Sequence, residues 1–150
     1  MAGAFKNILV PFDNSSHSQK ALRIARTLAR SFDATLHVAT VVDISSVAPP
    51  GLIRSEEKKA LESIRSSIKQ SAKERIRKIE EECSQEEVAT KGWVIEGSTA
   101  SELLKLIKGN SIDLVVIGSM GLSGLSRLKA LGSVSRKISE LSDCPVMIIR

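Results

Sequence analysis

The sequence predicts an α/β protein built on a single open, doubly wound sheet of parallel strands. Short apolar runs rich in β-branched residues recur along the chain, and segments with helical periodicity separate them. Residues 114–117 are apolar throughout, which is typical of a strand buried on both faces of a parallel sheet. Because strands separated by helices pair in parallel through right-handed crossovers, this alternation predicts a doubly wound sheet.

The chain begins with a strand, a helix and a second strand. The strands are predicted over 6–12 and 34–42, since both segments are apolar and end at polar residues. The helix between them follows a group of capping residues at 13–16. Its apolar residues recur at helical spacing and form one face, made of Ala21, Ala25, Leu28, Ala29 and Phe32.

A loop and a long charged helix come next. Residues 43–54 include Pro49-Pro50-Gly51 and predict no regular element. A helix is predicted over 55–83, with one stripe formed by Leu61, Ile64, Ile68, Ala72, Ile76, Ile79 and Cys83. Nine basic and nine acidic residues between Arg54 and Glu87 cancel, so this segment is a solvated helix surface and not an anion-binding patch.

The second half alternates three strands with two helices. The strands are predicted over 88–95, 113–118 and 145–150. A capping box at 99–102 starts the first helix, which ends at Gly109 and Asn110. A loop rich in glycine and serine, 118–131, leads to a helix over 132–141 whose inward residues are Val134, Ile138 and Leu141.

The composition is that of a globular domain. The 150 residues include 42% hydrophobic and 26% charged residues, and no apolar run approaches the roughly 20 residues of a membrane span. We therefore expect one domain over 1–150 and no association with a membrane. The first residues lack the features of a secretory signal, so we expect a cytoplasmic protein in which Cys83 and Cys144 are free thiols.

The loop rich in glycine and serine is the first candidate binding site. Gly118, Gly121 and Gly132 would let main-chain amides approach a phosphate, and Ser133 and Ser135 add hydroxyl donors. Between 119 and 139 there are four basic residues and no acidic one, which is +4 of the net charge of +5. The spacing is neither that of a P-loop nor GxGxxG, so a mononucleotide or another small phosphate is favoured, and a plain surface loop is the alternative.

The end of the first strand is the second candidate. Asp13 could accept hydrogen bonds from a ribose or hold a magnesium ion through water, or it could simply belong to the helix cap. Neither His17 nor His37 has an evident nucleophilic partner, so covalent catalysis is not expected. Nucleic-acid binding is not expected either, because the chain has only four aromatic residues.

Four segments of the chain resemble the universal stress protein family. They are 8–22, 36–43, 113–124, and the closing pair 132–135 and 144–150, and together they cover essentially the whole chain. The resemblance implies a five-stranded parallel sheet in the order 3-2-1-4-5, with helices on both faces, in a protein that is usually a homodimer.

One branch of this family binds ATP through a spaced glycine motif, and Gly118, Gly121, Gly132 and Ser133 occupy its positions. The resemblance implies that Pro11 and Asp13 flank the nucleoside and that the main chain of Val41 reads adenine. The phosphates, with magnesium or manganese, would lie against Gly118, Met120, Gly121, Gly132, Ser133, Val134 and Ser135. Residues 122–131 number ten where the family pattern has nine, so this loop is one residue longer than the pattern.

The resemblance leads to a cytoplasmic, ATP-binding, homodimeric regulator of the stress response with at most weak ATP hydrolysis. The last strand, Val146–Ile149, would cover its exposed edge by pairing with a second copy. Two alternatives stay open: a dimeric module that binds a client protein and no nucleotide, with 43–54 and the charged helix as its contact surface, and a slow ATPase.

Overall fold

The computed structural model describes residues 4–45, 54–121 and 131–150. In these ranges lie five strands, β1 (Asn7–Pro11), β2 (Thr35–Val42), β3 (Thr90–Glu96), β4 (Leu114–Gly118) and β5 (Val146–Ile149). They alternate with four helices, α1 (Ser16–Phe32), α2 (Ser55–Gln85), α3 (Thr99–Gly109) and α4 (Ser133–Leu141). Each predicted element is present. The predictions for 46–53 and for the glycine loop at 122–130 lie outside the described residues.

All five strands are parallel and lie in the order β3-β2-β1-β4-β5. The predicted fold class and strand order are therefore confirmed. The chain winds outward from β1 in one direction through β2 and β3, and in the other through β4 and β5. The carboxyl ends of β1, β2 and β4 meet where the winding reverses, which is the place where open α/β sheets bind ligands.

Alternation along the strands separates two hydrophobic cores. Ile8 and Val10 of β1 pack on one face of the sheet with α1 and α2. Leu9 packs on the other face with residues of α3 and α4. Each face of the sheet is thus buried by a pair of helices, which explains why β4 is buried over its whole length.

The helix α2 is longer than the sheet beneath it. Its 31 residues measure about 46 Å, whereas the eight residues of β2 measure about 26 Å. Ala72, Ile76, Ile79 and Cys83 are buried, but Ile64 and Ile68 are 48% and 39% exposed. The predicted stripe is therefore a core face only in the second half of the helix.

Two local predictions are wrong. The capping box at 99–102 is absent, because the N-cap of α3 is Ser98 and its side chain makes no capping hydrogen bond. Glu102 instead lies against Gly97 and accepts a hydrogen bond from Lys105. Leu141, predicted to point inward, is 59% exposed at the last position of α4.

None of the described helices is long and apolar enough to span a lipid bilayer.

Candidate functional site

A pocket of about 550 Å³ opens at the carboxyl edge of the sheet. All ten residues predicted to bind a nucleotide line it: Pro11, Asp13, Val41, Gly118, Met120, Gly121, Gly132, Ser133, Val134 and Ser135. They come from the ends of β1, β2 and β4 and from the start of α4. Ala39, Leu103 and Ile117 add apolar surface to the lining.

The junction between β4 and α4 is held by main-chain hydrogen bonds. The Ser119 amide donates to the Ile149 carbonyl at 2.7 Å, and the Gly132 amide donates to the Ser119 carbonyl at 2.7 Å. The Ser135 Oγ lies 3.0 Å from the Ser119 carbonyl oxygen and 3.1 Å from that of Gly132, and its single proton is shared between these two acceptors. This hydroxyl therefore fastens the junction, and the prediction that it serves as a ligand donor is not supported by its geometry.

The first turn of α4 presents unused amides to the pocket. Gly132 is the N-cap and carries no side chain that could accept from them. The amide of Arg136 makes the first hydrogen bond of the helix, to the Gly132 carbonyl at 3.0 Å. The amides of Ser133, Val134 and Ser135 consequently have no acceptor within the helix, and all three residues line the pocket. Such a turn is suited to an anion.

The three glycines around the pocket lack side chains for different reasons. A Cβ on Gly118 would lie 2.8 Å from Cβ of His17, so glycine there lets β4 end against the start of α1. A Cβ on Gly121 would lie 2.8 Å from Oδ2 of Asp13. A Cβ on Gly132 would meet nothing closer than the Ser119 carbonyl oxygen at 3.5 Å, and its φ of −70° suits any residue. Packing therefore does not require glycine at 132, whereas a ligand close to the main chain would.

Asp13 shapes the turn that leads from β1 into α1. Its Oδ1 accepts a hydrogen bond from the Ser15 amide at 2.9 Å. The helix cap itself is Ser15, whose hydroxyl oxygen accepts from the Ser18 amide at 3.2 Å. Asp13 is therefore not the N-cap, and its half-buried carboxylate faces the pocket beside Gly121.

The end of β2 presents main-chain groups to the other side of the pocket. The last pair of residues shared by β1 and β2 is Pro11–Ala39, and the Phe12 amide donates to the Ala39 carbonyl at 2.8 Å. Alternate residues of a strand direct their N–H and C=O groups to the same side. Val41 therefore directs a donor and an acceptor past the end of β1, and it lines the pocket.

The sequence prediction missed three polar residues of the lining, Ser18, Asp43 and Thr99. Asp43 follows β2 and lies two residues after Val41, so the two-residue period of the strand was the available signal. Hydrogen bonds from the hydroxyl and the amide of Ser45 hold the pKa of the Asp43 carboxyl below its usual range. Thr99 starts α3, and only the order of the strands brings that helix to this edge.

The basic residues expected near the phosphate site do not line the pocket where the structure describes them. Arg136 and Lys137 are exposed on α4, and Arg127 and Lys129 lie outside the described residues. Among the described lining residues the charged side chains are those of Asp13 and Asp43. The attraction for an anion on this part of the surface comes from the amides of α4.

The histidines and cysteines lie elsewhere and build no reactive group. His17 is in the first turn of α1, where it packs on Gly118, and His37 is buried near the amino ends of the strands. Burial raises the pKa of the Cys83 thiol, and Cys144 is half-buried beside Ser142. In the ranges that the structure covers, no three His, Cys, Asp or Glu side chains are grouped as a metal site would require.

Comparison with known proteins agrees with this architecture. A family model described as "Universal stress protein family" matches residues 4–150. The chain belongs to the universal stress protein family. Universal stress protein YxiE of Bacillus subtilis is 34% identical over 149 residues, which are 97% of this chain and 99% of YxiE.

Two solved structures show how far the fold of this universal stress protein is shared. UspA of Lactobacillus plantarum is 27% identical with a TM-score of 0.86, and the match covers 99% of both chains. A universal stress protein of Archaeoglobus fulgidus in complex with dAMP is 17% identical with a TM-score of 0.65, and the match covers 99% of this chain and 100% of that one. The first likeness extends over the whole sheet and its helices, and the second shows the fold alone.

Proposed function

We propose that this universal stress protein binds ATP, together with magnesium or manganese, in the pocket at the carboxyl edge of its sheet. The observation that carries the proposal is the first turn of α4. Its amides have no acceptor within the helix, and they face a pocket beside a glycine that packing does not require. The same pocket is lined by the apolar side chains of Ala39, Leu103 and Ile117 and by the main chain of Val41.

The proposed arrangement of the nucleotide follows the strand order. The phosphates lie at α4, the ribose hydroxyls donate to Asp13, and the adenine lies against Val41. Because β4 and β2 flank β1 and neighbouring strands are about 4.8 Å apart, the phosphate and base positions are separated by about 10 Å. The phosphate oxygens are the principal ligands of the metal ion, as is usual for magnesium.

Binding rather than rapid hydrolysis is the proposed activity. Phosphoryl transfer needs groups that stabilise negative charge on the moving phosphoryl group. The described lining residues include no lysine, arginine or histidine, and the Asp13 carboxylate beside Gly121 repels the charge of the phosphates. We therefore expect ATP to act as a regulatory ligand that is hydrolysed slowly at most. The complex named for the Archaeoglobus fulgidus protein supports the choice of an adenine nucleotide.

The protein is further proposed to act as a cytoplasmic homodimer joined through β5. Its two sheet edges differ. At β3 the Glu80 carboxylate of α2 accepts a hydrogen bond from the Gly92 amide, so a side chain of α2 covers part of that edge. At β5 the outer edge carries Met147, which is 38% exposed, and half-buried Val146 and Ile148. Pairing of two copies would satisfy the β5 edge.

A second candidate is a module that binds a client protein without a nucleotide. Ile64 and Ile68 on the overhanging half of α2 favour it, because they expose apolar surface to a partner. Under this alternative the pocket at the carboxyl edge binds no nucleotide.

Thermal unfolding with and without Mg-ATP separates the two functions. A nucleotide present at about 100 times its dissociation constant adds about 2.7 kcal/mol to the free energy of unfolding and raises the melting midpoint. An unchanged midpoint at millimolar Mg-ATP would favour the client-binding module.

Gly132→Ala tests the observation that carries the proposal. A Cβ fits there without close contacts, so the variant should keep the stability of the wild type and lose most of the ATP-induced shift. The matched control is Gly109→Ala at the end of α3, where a Cβ would have nothing within 4 Å. If Gly132→Ala and Gly109→Ala both retain the full ATP-induced shift in melting midpoint, Gly132 does not belong to the binding site.

A further inference from the structure

Asp43 lies at the end of the pocket opposite the anion-binding turn. It follows β2, whereas α4 follows β4, and these strands lie on opposite sides of β1. Asp43 lies two residues after Val41, and both line the pocket. A ligand with its phosphates at α4 would therefore place its other end between the main chain of Val41 and the Asp43 carboxylate.

The Asp43 carboxylate is held in place by its own turn. Its Oδ1 accepts from the Ser45 amide at 3.0 Å and from the Ser45 hydroxyl. Both bonds use the same oxygen, so the second oxygen is the one available to a ligand. In the part of the chain that the structure describes, no lysine or arginine forms an ion pair with Asp43. Its charge therefore acts on whatever occupies this end of the pocket.

We propose that Asp43 selects the base of the bound nucleotide, favouring purines with an amino group at position 6 over those with a carbonyl. This inference rests on the proposed function and concerns the base that the site accepts. An ionised carboxylate can accept a hydrogen bond but cannot donate one. The 6-amino group of adenine donates to it, whereas the 6-carbonyl of hypoxanthine or guanine places a second acceptor against it.

The main chain of Val41 distinguishes 6-amino purines from 6-carbonyl purines less strictly than Asp43 does. It offers one donor and one acceptor at the edge of the pocket, and a purine with a 6-carbonyl can meet both by shifting in the plane of its ring. A fixed charged acceptor leaves no such solution, because the 6-carbonyl would face the carboxylate oxygen and the two acceptors would repel each other. Asp43 is therefore the positioning residue that sets the preference, with Val41 as a contact common to both bases.

ATP and ITP form a suitable pair of probes, since they differ at position 6 and at the neighbouring nitrogen. Wild-type protein should bind Mg-ATP more tightly than Mg-ITP by about tenfold or more, measured by isothermal titration calorimetry. Asp43→Asn keeps the oxygen that Ser45 contacts and adds an amino group that can donate to a carbonyl. This variant should bind Mg-ATP only about threefold more tightly than Mg-ITP, or less.

The control is Asp33→Asn, the same change at an exposed position at the far end of α1. It should leave both affinities unchanged. Equal wild-type affinities for ATP and ITP, or an unaltered ratio in Asp43→Asn, would overturn the role of Asp43 while leaving ATP binding intact. Failure of the wild type to bind either nucleotide would overturn the proposed function and this inference together.

Discussion

His37 links three strands near the amino ends of the sheet. Trp93 Nε1 donates to His37 Nδ1 at 3.2 Å, and His37 Nε2 lies 3.2 Å from Asn7 Oδ1. An indole N–H can only donate, so Nδ1 must accept and the ring proton must lie on Nε2. The histidine is therefore held neutral. Burial, with a contribution from Lys91, lowers its pKa, and Asp113 opposes the shift in part.

This arrangement predicts a loss of stability in mild acid. The pKa of His37 is below 6.5 in the folded state and near 6.5 in the unfolded state, so the unfolded chain binds more protons between the two values. The free energy of unfolding should fall as the pH drops below about 6.5 and stop falling below the folded-state pKa. Urea unfolding followed by Trp93 fluorescence measures it, since the chain has one Trp and no Tyr.

The His37→Gln variant isolates this contribution from those of the carboxylates. The difference in unfolding free energy between wild type and variant should shrink as the pH falls from about 7.5 to 5.5. A difference that stays constant over this range would show that His37 has the same pKa in both states.

Asp13 offers a test of the proposed ribose contact. Asp13→Asn retains an oxygen for the Ser15 amide, so the turn into α1 should survive. Loss of the charged acceptor should weaken ATP binding by about 1.5–3 kcal/mol, measured as a change in Kd. Asp33→Asn again serves as the control. Unchanged affinity in a folded Asp13→Asn protein would contradict the contact.

The residues of the site could be predicted only in part. Glycine spacing and the position of Asp13 at a strand end were visible in the sequence. Asp43 and Thr99 were not recognised, because they enter the pocket only once β2 and α3 take their places around β1. The Ser135 hydroxyl was assigned to a ligand, since its hydrogen bonds to Ser119 and Gly132 form only when the end of β4 and the start of α4 come together.

At the scale of the element, α2 shows where periodicity stops being informative. The apolar spacing is the same around Ile64 as around Ile79, so the sequence predicts one continuous stripe. The structure buries Ile79 to 6% exposure and leaves Ile64 at 48%. The difference arises because the sheet ends beneath the helix, and no local pattern records where a neighbouring element ends. The start of α3 could not be placed from the sequence either, because Ser98 and Thr99 are adjacent and both are common N-cap residues.

Two alanine variants of α2 measure this difference. Ile79→Ala should lower the free energy of unfolding by about 2–5 kcal/mol, because it leaves a cavity against the sheet. Ile64→Ala should change it by less than about 1 kcal/mol, since its side chain is half in solvent and alanine favours the helix. Urea denaturation of both variants gives the comparison. Equal losses would mean that the first half of α2 is packed as tightly as the second.

At the scale of the whole molecule, the alternation of strands and helices was enough to predict parallel pairing and helices on both faces. The strand order came from the family resemblance, because crossover handedness alone permits other arrangements of five strands. The order matters most for function, since it places the ends of β1, β2 and β4 side by side and leaves β3 and β5 as edges.

The two edges lead to a prediction about assembly. Because the Glu80 side chain of α2 covers part of the β3 edge, association should use β5. Met147→Lys should convert a dimer to a monomer by placing a charge on the β5 edge of each copy, as measured by light scattering after size exclusion. Ile64→Lys, an equal change on the overhanging half of α2, should leave the dimer intact. A wild-type monomer, or a Met147→Lys dimer, would remove β5 as the interface.

Equilibrium dialysis of the wild-type protein against radiolabelled Mg-ATP tests the central claim most directly. The amides of α4, the side-chain-free position at Gly132 and the pocket between β2 and β4 predict saturable retention of one ATP per chain. Gly132→Ala should abolish most of this retention, and Gly109→Ala should retain it in full. Folded wild-type protein that retains no ATP at millimolar concentration would contradict a nucleotide site at the carboxyl edge of the sheet.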